Sequence, residues 1–167
     1  LAYNTVVIVG GDGLVARYRK LHLYDAFGWR ESAQVRAGDP KVDGIVVCPI
    51  GELRLGVMTC YDLRFPELAR LLVDNGATVI AVPAAWVAGP RKAEHWGVLL
   101  RARAIENTVY MVAAAQPAPV YTGLSMVIDP AGEALSVLTS EEEGLHAIAS
   151  AELSDARVRE VRSTLPV

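Results

Sequence analysis

One stretch of the chain, residues 53–75, constrains the fold more than any other. Residues 53–59 alternate apolar side chains with Arg, Gly and Met, which predicts a β-strand. The alternation stops at Cys60. From Pro66 onward, apolar residues recur at helical spacing as far as an Asn-Gly pair, which is typical of a helix end. The segment therefore predicts a strand, a tight turn and a helix, with Cys60 on the bend.

Cys60 occupies a position that can activate a thiol. Free N–H groups at the start of a helix and in a tight turn favour an anion, lower the pKa of a thiol and supply donors to an oxyanion. We therefore expect Cys60 to have a lowered pKa and to act as a nucleophile. The alternative is a buried structural cysteine, which is the more common state of an isolated cysteine.

Length, charge and cysteine content restrict the class of protein. The 167 residues suffice for a single domain, 1–167, and the interspersed charges, which sum to −3, form no basic face for nucleic acid. The uncharged run over residues 76–90 is too short to span a membrane, so no membrane partner is predicted. Two cysteines without a disulfide framework predict a reducing, cytoplasmic location. The chain begins at Leu1 without Met, so we expect a piece of a longer protein.

The remaining residues predict further strands and two more helices. Residues 5–9 and 14–20 flank a glycine turn and predict a hairpin. The aromatic loop over residues 22–42 is long enough to predict a functional role. Other strands are predicted at 45–50, 77–85, 109–115, 124–129, 134–138 and 145–152, and helices at 91–107 and 154–163. This alternation of strands and helices predicts an α/β layered domain.

Other reactive side chains have both a chemical and a structural interpretation. Lys20 ends the hairpin and could stabilise a thiolate or an oxyanion, although a solvated lysine at a sheet edge shows the same pattern. Asp62, Arg64 and Glu67 surround the predicted turn, where ion pairs and capping are favoured over acid–base catalysis.

A cysteine–histidine pair is a further alternative. It would require His22, His95 or His146, and none of them lies in a local signature of such an enzyme. Cys48 and Cys60 have no metal-ligand spacing, so no metal site is predicted.

Five motifs are distributed along the chain. The first, Y-R-K-L-H-L-Y-D, surrounds Lys20, and the second, T-C-Y-D-L-R-F-P-E-L, surrounds Cys60. The others are P-A-A-W at 83–86, H-W followed by L-R-A-R-A-I-E-N within 95–107, and G-L-S-M-V-I-D-P-A-G at 123–132. With these motifs the chain resembles the nitrilase superfamily of carbon–nitrogen hydrolases. It is most similar to the amidase branch that contains omega-amidase-like and deaminated-glutathione-amidase-like proteins.

The resemblance implies a fold and a catalytic set. The implied fold is a four-layer α-β-β-α sandwich, incomplete here at its amino terminus, that pairs with further copies as a homodimer or higher homo-oligomer. The residue that matches the family's nucleophile is Cys60, and the residue that matches its lysine is Lys20. A second glutamate, which orders the lysine and the substrate, corresponds to Glu31. No cofactor is implied.

The resemblance also implies a reaction. The thiolate of Cys60 attacks a small linear amide, and Lys20 and the backbone N–H of Tyr61 hold the oxyanion. Ammonia leaves, and water hydrolyses the thioester. Tyr61 and Trp86 line the acyl pocket. Nitriles, N-carbamoyl amino acids and dicarboxylic omega-amides all remain open as substrates.

One catalytic residue of the family has no counterpart in this chain. The general-base glutamate of the family precedes the lysine, whereas residues 1–19 contain no glutamate. The chain thus corresponds to the carboxy-terminal two thirds of the family domain. Because a general base contributes about 10²- to 10⁴-fold, we expect the chain alone to be inactive or nearly so. The alternative is a catalytically silent fragment or scaffold subunit that keeps the oligomer interface.

Overall fold

The computed structural model describes residues 1–139 and 147–167. Within them the helices are α1 (Pro66–Asp74), α2 (Lys92–Asn107) and α3 (Asp155–Thr164). The strands are β1 (Ala2–Tyr3), β2 (Thr5–Gly10), β3 (Gly13–Arg19), β4 (Val35–Arg36), β5 (Val47–Ile50), β6 (Leu53–Val57), β7 (Val79–Ala84), β8 (Tyr110–Ala115), β9 (Met126–Ile128) and β10 (Ala134–Val137).

Six strands form one mixed sheet in the order β10-β9-β8-β7-β6-β5. Strands β6, β7 and β8 are parallel, while β5, β9 and β10 each run antiparallel to their neighbours. Parallel neighbours require crossover connections, and the helices α1 and α2 provide them. The carboxyl ends of β6, β7 and β8 consequently lie at the same edge of the sheet.

Helices α1 and α2 cover one face of this sheet. Ile80 and Val82 on β7 are fully buried in the same apolar cluster as Leu72 on α1 and Leu100 on α2. The helix layer approaches closely at Gly56, where a Cβ would lie 3.3 Å from the Cβ of Leu72. No helix of the residues described here is long and apolar enough to cross a membrane.

The opposite face of the sheet is covered in part. Because side chains alternate along a strand, Val79 points away from the helix layer, and it packs with Tyr110 on β8 and Val158 on α3. The separate hairpin β2–β3 adds Tyr18 to the main core. The mixed sheet, its helix layer and the hairpin contribute to one apolar core, and this combination of strands and helices confirms the predicted α/β class.

One predicted strand, at residues 145–152, is wrong over the residues that the structure describes. Residues 147–152 of the strand predicted at 145–152 form no strand, and Ile148 is 82% exposed. Within the described ranges, the apolar alternation there has no neighbouring strand with which to pair. The first two residues of that prediction, including His146, lie outside the described residues.

Candidate active site

Cys60 lies where β6 leads into α1. Strand β6 ends at Val57, a 3-10 turn spans Cys60–Arg64, and α1 begins at Pro66. The φ angle of Cys60 is +50°, in the left-handed region that costs an L-residue about 1–2 kcal/mol. The predicted strand, turn and helix are therefore confirmed, and the thiol sits at a strained point of the backbone.

The neighbours of Cys60 fix the turn. The N–H of Thr59 donates to Oδ2 of Asp62 at 3.0 Å, so the Asp62 carboxylate caps the turn. The Thr59 hydroxyl donates to the carbonyl of Pro83 on β7 at 2.8 Å. The Cys60 thiol lies 3.7 Å from the carbonyl oxygen of Ala85, just beyond the end of β7. Thr59 and Cys60 are thus both held against the carboxyl end of β7.

Lys20 is buried, not solvated. It directly follows β3, is 2% exposed, and its Nζ lies 2.5 Å from Oε2 of Glu31. The same Glu31 oxygen accepts the N–H of Tyr24 at 2.7 Å, and Oε1 accepts Nδ2 of Asn4 at 3.1 Å. The structure therefore replaces the edge-lysine interpretation with an ordered ion pair.

The environment of Glu31 favours its charged form. Partial burial opposes ionisation, but the hydrogen bonds from Lys20, Tyr24 and Asn4 together hold the pKa of Glu31 below its ordinary value. A carboxylate with both oxygens engaged is a stable partner for an ammonium group. It is correspondingly poor as an acceptor of another proton.

Lys20, Glu31 and Cys60 line one cavity of about 650 Å³. Its floor is formed at the carboxyl ends of β6, β7 and β8, and its wall includes the aromatic loop that follows β3. This is the edge at which open α/β sheets bind ligands. Among the residues that the structure describes, Glu31 is the only acidic residue on the wall.

Tyr61 and Trp86 lie next to this cavity. With Cys60 they line a narrow adjoining pocket that also includes Tyr24. Trp86 is 3% exposed, and its Nε1 donates to the carbonyl of Lys92 at 3.0 Å. The Trp86 indole is therefore a packed wall of the narrow pocket, beside the Cys60 sulfur. Tyr61 and Trp86 do not line the large cavity.

Burial decides the state of the thiol. It raises the pKa of Cys60 above its ordinary value, and the positive charge of Lys20 and the N–H of Tyr61 only partly oppose this effect. The expectation of a lowered pKa is wrong, because it considered the local turn without the desolvation by the surrounding layers. At neutral pH the isolated thiol is protonated.

The described histidines have partners other than Cys60. His22 Nδ1 lies 2.8 Å from Oδ1 of Asp62, and its ring stacks on Phe65 with 3.7 Å between centroids. His95 Nδ1 lies 3.4 Å from Nη2 of Arg64. These contacts favour structural roles for both rings. Over the ranges 1–139 and 147–167, no group of His, Cys, Asp and Glu could hold a metal ion.

Sequence reasoning missed three residues of the site. Asn4 and Tyr24 orient Glu31, and the buried Nζ of Lys92 donates to the hydroxyl of Tyr24 at 2.9 Å. The Lys92 Nζ also lies 4.0 Å from the ring centroid of Phe27. Tyr24 could have been found from its place in the first motif. Asn4 and Lys92 carry no local signal, because their partners are distant in sequence.

Known proteins resemble this chain in sequence and in fold. A family model described as "Carbon-nitrogen hydrolase" matches residues 1–163. A deaminated glutathione amidase of Escherichia coli O157:H7 is 44% identical over 169 residues, which cover 99% of this chain and 61% of that protein.

Two solved structures extend the comparison. Nit3 of Saccharomyces cerevisiae, a member of branch 10 of the nitrilase superfamily, is 30% identical with a TM-score of 0.81, covering 99% of this chain and 58% of that one. A mutant of the amidase from Nesterenkonia sp. AN1, with acrylamide added at its active-site cysteine, is 28% identical with a TM-score of 0.74, covering 96% and 61%. The chain thus spans about three fifths of the length of these relatives.

Proposed function

We propose thiol-dependent amide hydrolysis as the chemistry of this chain, which belongs to the carbon–nitrogen hydrolase family. Relatives named as amidases support amide hydrolysis in general. The thiol-dependent mechanism rests on one observation: Cys60, Lys20 and Glu31 line one cavity, with the lysine buried against the glutamate. A buried ammonium beside a thiol is suited to hold the charge that develops in acyl transfer.

In the proposed reaction, the sulfur of Cys60 attacks the carbonyl carbon of the amide. The Lys20 ammonium and the N–H of Tyr61 stabilise the oxyanion, and the C–N bond breaks with protonation of the leaving nitrogen. Ammonia departs and leaves a thioester. Water then attacks the thioester, releasing the carboxylate and restoring the thiol. Glu31 holds the Lys20 ammonium in position.

The reaction needs a base for the thiol proton. Glu31 is unsuited to this task, because its pKa is held low and its oxygens accept hydrogen bonds from three residues. We infer that the base is a carboxylate other than Glu31 and that it is not one of the described residues that line this cavity. Without such a base in the cavity, the 167-residue chain would hydrolyse amides about 10²- to 10⁴-fold more slowly than with one.

The cavity suits a small linear amide that carries a second polar end. Arg30, Gln34 and Gln116 lie on its wall together with apolar residues. The guanidinium of Arg30 can pair with a carboxylate at the far end of the substrate. We therefore favour an omega-amide of a dicarboxylic acid over a neutral nitrile.

Adduct formation tests the nucleophile directly. Acrylamide, which reacts with thiolates, should modify Cys60 in the intact chain much faster than the buried Cys48, as peptide mass spectrometry can show. Incubation with the monoamide of glutaric acid should give an acyl adduct that is absent in Cys60→Ala and present in Cys48→Ala. Faster modification of Cys48, or an acyl adduct elsewhere, contradicts the proposal.

A catalytically silent subunit is the second candidate. Two observations favour it: the raised pKa of Cys60, and exposed apolar side chains on the helix layer at Leu71, Val98 and Ile105. Val98 and Ile105 are seven residues apart and share one face of α2. We propose that this face meets another copy of the chain as a homodimer or higher homo-oligomer.

Light scattering after gel filtration tests the interface. The double variant Val98→Glu, Ile105→Glu should be monomeric, while Val120→Glu, which changes an equally exposed valine outside the helices, should keep the parent mass. An oligomer together with an unreactive Cys60 favours the silent subunit. Reaction of Cys60 favours the hydrolase.

We also infer a cytoplasmic location. Cys48 and Cys60 are both free thiols, and the proposed chemistry requires Cys60 to stay reduced.

A further inference from the structure

The carboxylate of Asp62 is fully buried and accepts hydrogen bonds from two segments of the chain. Oδ2 accepts the Tyr18 hydroxyl at 2.6 Å and the Thr59 N–H at 3.0 Å. Oδ1 accepts the His22 N–H at 3.0 Å and the Nδ1–H of the same residue at 2.8 Å. Capping of the turn requires only the bond from Thr59. The other three bonds come from residues about 40 positions earlier.

The partners of Asp62 flank the two residues of the proposed reaction. Tyr18 and His22 lie two positions before and after Lys20, and Thr59 immediately precedes Cys60. Along the extended chain, residues two apart project to the same side, so Tyr18 and Lys20 face the turn together. One carboxylate thus joins the backbone that carries the ammonium to the backbone that carries the sulfur.

We propose that Asp62 is a positioning residue that sets the approach of Lys20 to Cys60. The inference rests on the proposed function for the roles of those two residues. Since Asp62 is fully buried, it acts through its neighbours and not on the substrate.

The four donors specify a carboxylate at this position. An ionised carboxylate only accepts hydrogen bonds, so it satisfies both donors at each oxygen. An asparagine places an NH₂ group against two of those donors. The Tyr18 hydroxyl or the His22 ring nitrogen can turn into an acceptor, but in either orientation a backbone N–H, that of Thr59 or that of His22, is left unpaired. Asp62→Asn should therefore loosen the junction between the two segments while keeping nearly the same side-chain volume.

A thermodynamic cycle on thiol reactivity tests the inference without amide turnover. The rate of iodoacetamide alkylation of Cys60 is measured against pH in a Cys48→Ala background, with and without Lys20→Met. Loss of the ammonium should slow alkylation below the pKa about tenfold, which corresponds to one pKa unit. In the Asp62→Asn background, the same Lys20→Met change should slow the alkylation of Cys60 by less than about threefold.

Asp129→Asn is the matched control. Asp129 is also buried and accepts several hydrogen bonds, from the N–H groups of Ala131 and Glu133 and from Arg157, outside the candidate site. The effect of Lys20→Met should persist in this variant. Tyr18→Phe removes one of the four hydrogen bonds to Asp62 and should weaken the effect of Lys20→Met on the alkylation rate. This variant tests the positioning role of Asp62 if Asp62→Asn does not fold.

The outcomes separate this inference from the proposed function. A Lys20→Met effect that shrinks in the Asp62 or Tyr18 variants, and persists in Asp129→Asn, supports the positioning role. A full tenfold effect in Asp62→Asn and in Tyr18→Phe overturns this inference alone. Absence of any Lys20→Met effect in the parent chain overturns both this inference and the proposed pairing of Lys20 with Cys60.

Discussion

The left-handed backbone at Cys60 leads to a prediction about stability. Cys60→Ala and Cys60→Gly both remove the sulfur, but only glycine adopts a φ of +50° without steric cost. An L-residue pays about 1–2 kcal/mol there, and the greater freedom of glycine in the unfolded chain offsets about 0.5–1 kcal/mol of that gain. Cys60→Gly should therefore be more stable than Cys60→Ala by about 0.5–1 kcal/mol.

Urea and thermal unfolding measure this difference. A gain of about 1 kcal/mol in a domain of this size raises Tm by about 2–4 °C. Ala102→Gly in the middle of α2 is the control, because glycine there should lower the free energy of unfolding by about 1 kcal/mol. If Cys60→Gly is no more stable than Cys60→Ala while the control behaves as stated, the strain argument is refuted.

Three further predictions concern charges and the thiol. The pKa of Glu31 lies below its ordinary 4.5 in the folded chain, so its charge stabilises the fold above pH 4.5 and this contribution is lost as the pH falls below that value. The free energy of unfolding, measured against pH, should fall less below pH 4.5 in Glu31→Gln than in the parent chain. An equal fall in the two proteins contradicts this prediction. Arg157→Ala should lower the midpoint of urea unfolding, because it removes the 2.7 Å partner of the buried Asp129 carboxylate. Arg159→Ala, which removes an ion pair formed by a largely exposed guanidinium, is the control and should lower that midpoint much less. Alkylation of Cys60 should accelerate up to a pH above 9, and a plateau below pH 8 would show that burial does not control the pKa.

Elements with a strong local period could be predicted from the sequence. Strand β6, the turn at Cys60 and helix α1 were predictable because the apolar period changes from two residues to the helical spacing at the bend. The hairpin β2–β3 was predictable because a glycine turn separates two β-rich runs. In each of these elements the residues that specify the structure lie within a few positions of one another.

The last predicted strand shows the limit of that reasoning. Residues 147–152 have the apolar alternation of a strand, but Ile148 points to solvent and no neighbouring strand in the described part of the chain offers hydrogen bonds. A strand is stable only when its backbone groups are paired across the sheet. The period alone contains no information about that partner.

The partners within the site are similarly non-local. Lys20 and Glu31 are 11 residues apart, Asn4 and Glu31 are 27 apart, and Tyr18 and Asp62 are 44 apart. The motifs predict which residues carry chemistry. They do not reveal that Lys20 is buried or that Asp62 connects two segments, because both facts depend on how the hairpin packs against the turn.

The electrostatics of Cys60 follow from the same packing. Desolvation by the surrounding layers raises the pKa of the thiol, which the turn alone was expected to lower. Yet removal of water also strengthens the attraction between the buried Lys20 ammonium and any negative charge that forms beside it. A protonated resting thiol and a strong attraction for an oxyanion are therefore two consequences of one burial. In the proposed reaction, Cys60 would stay inactive until a base removes its proton, and Lys20 would stabilise charge most at the moment when the substrate supplies the oxyanion.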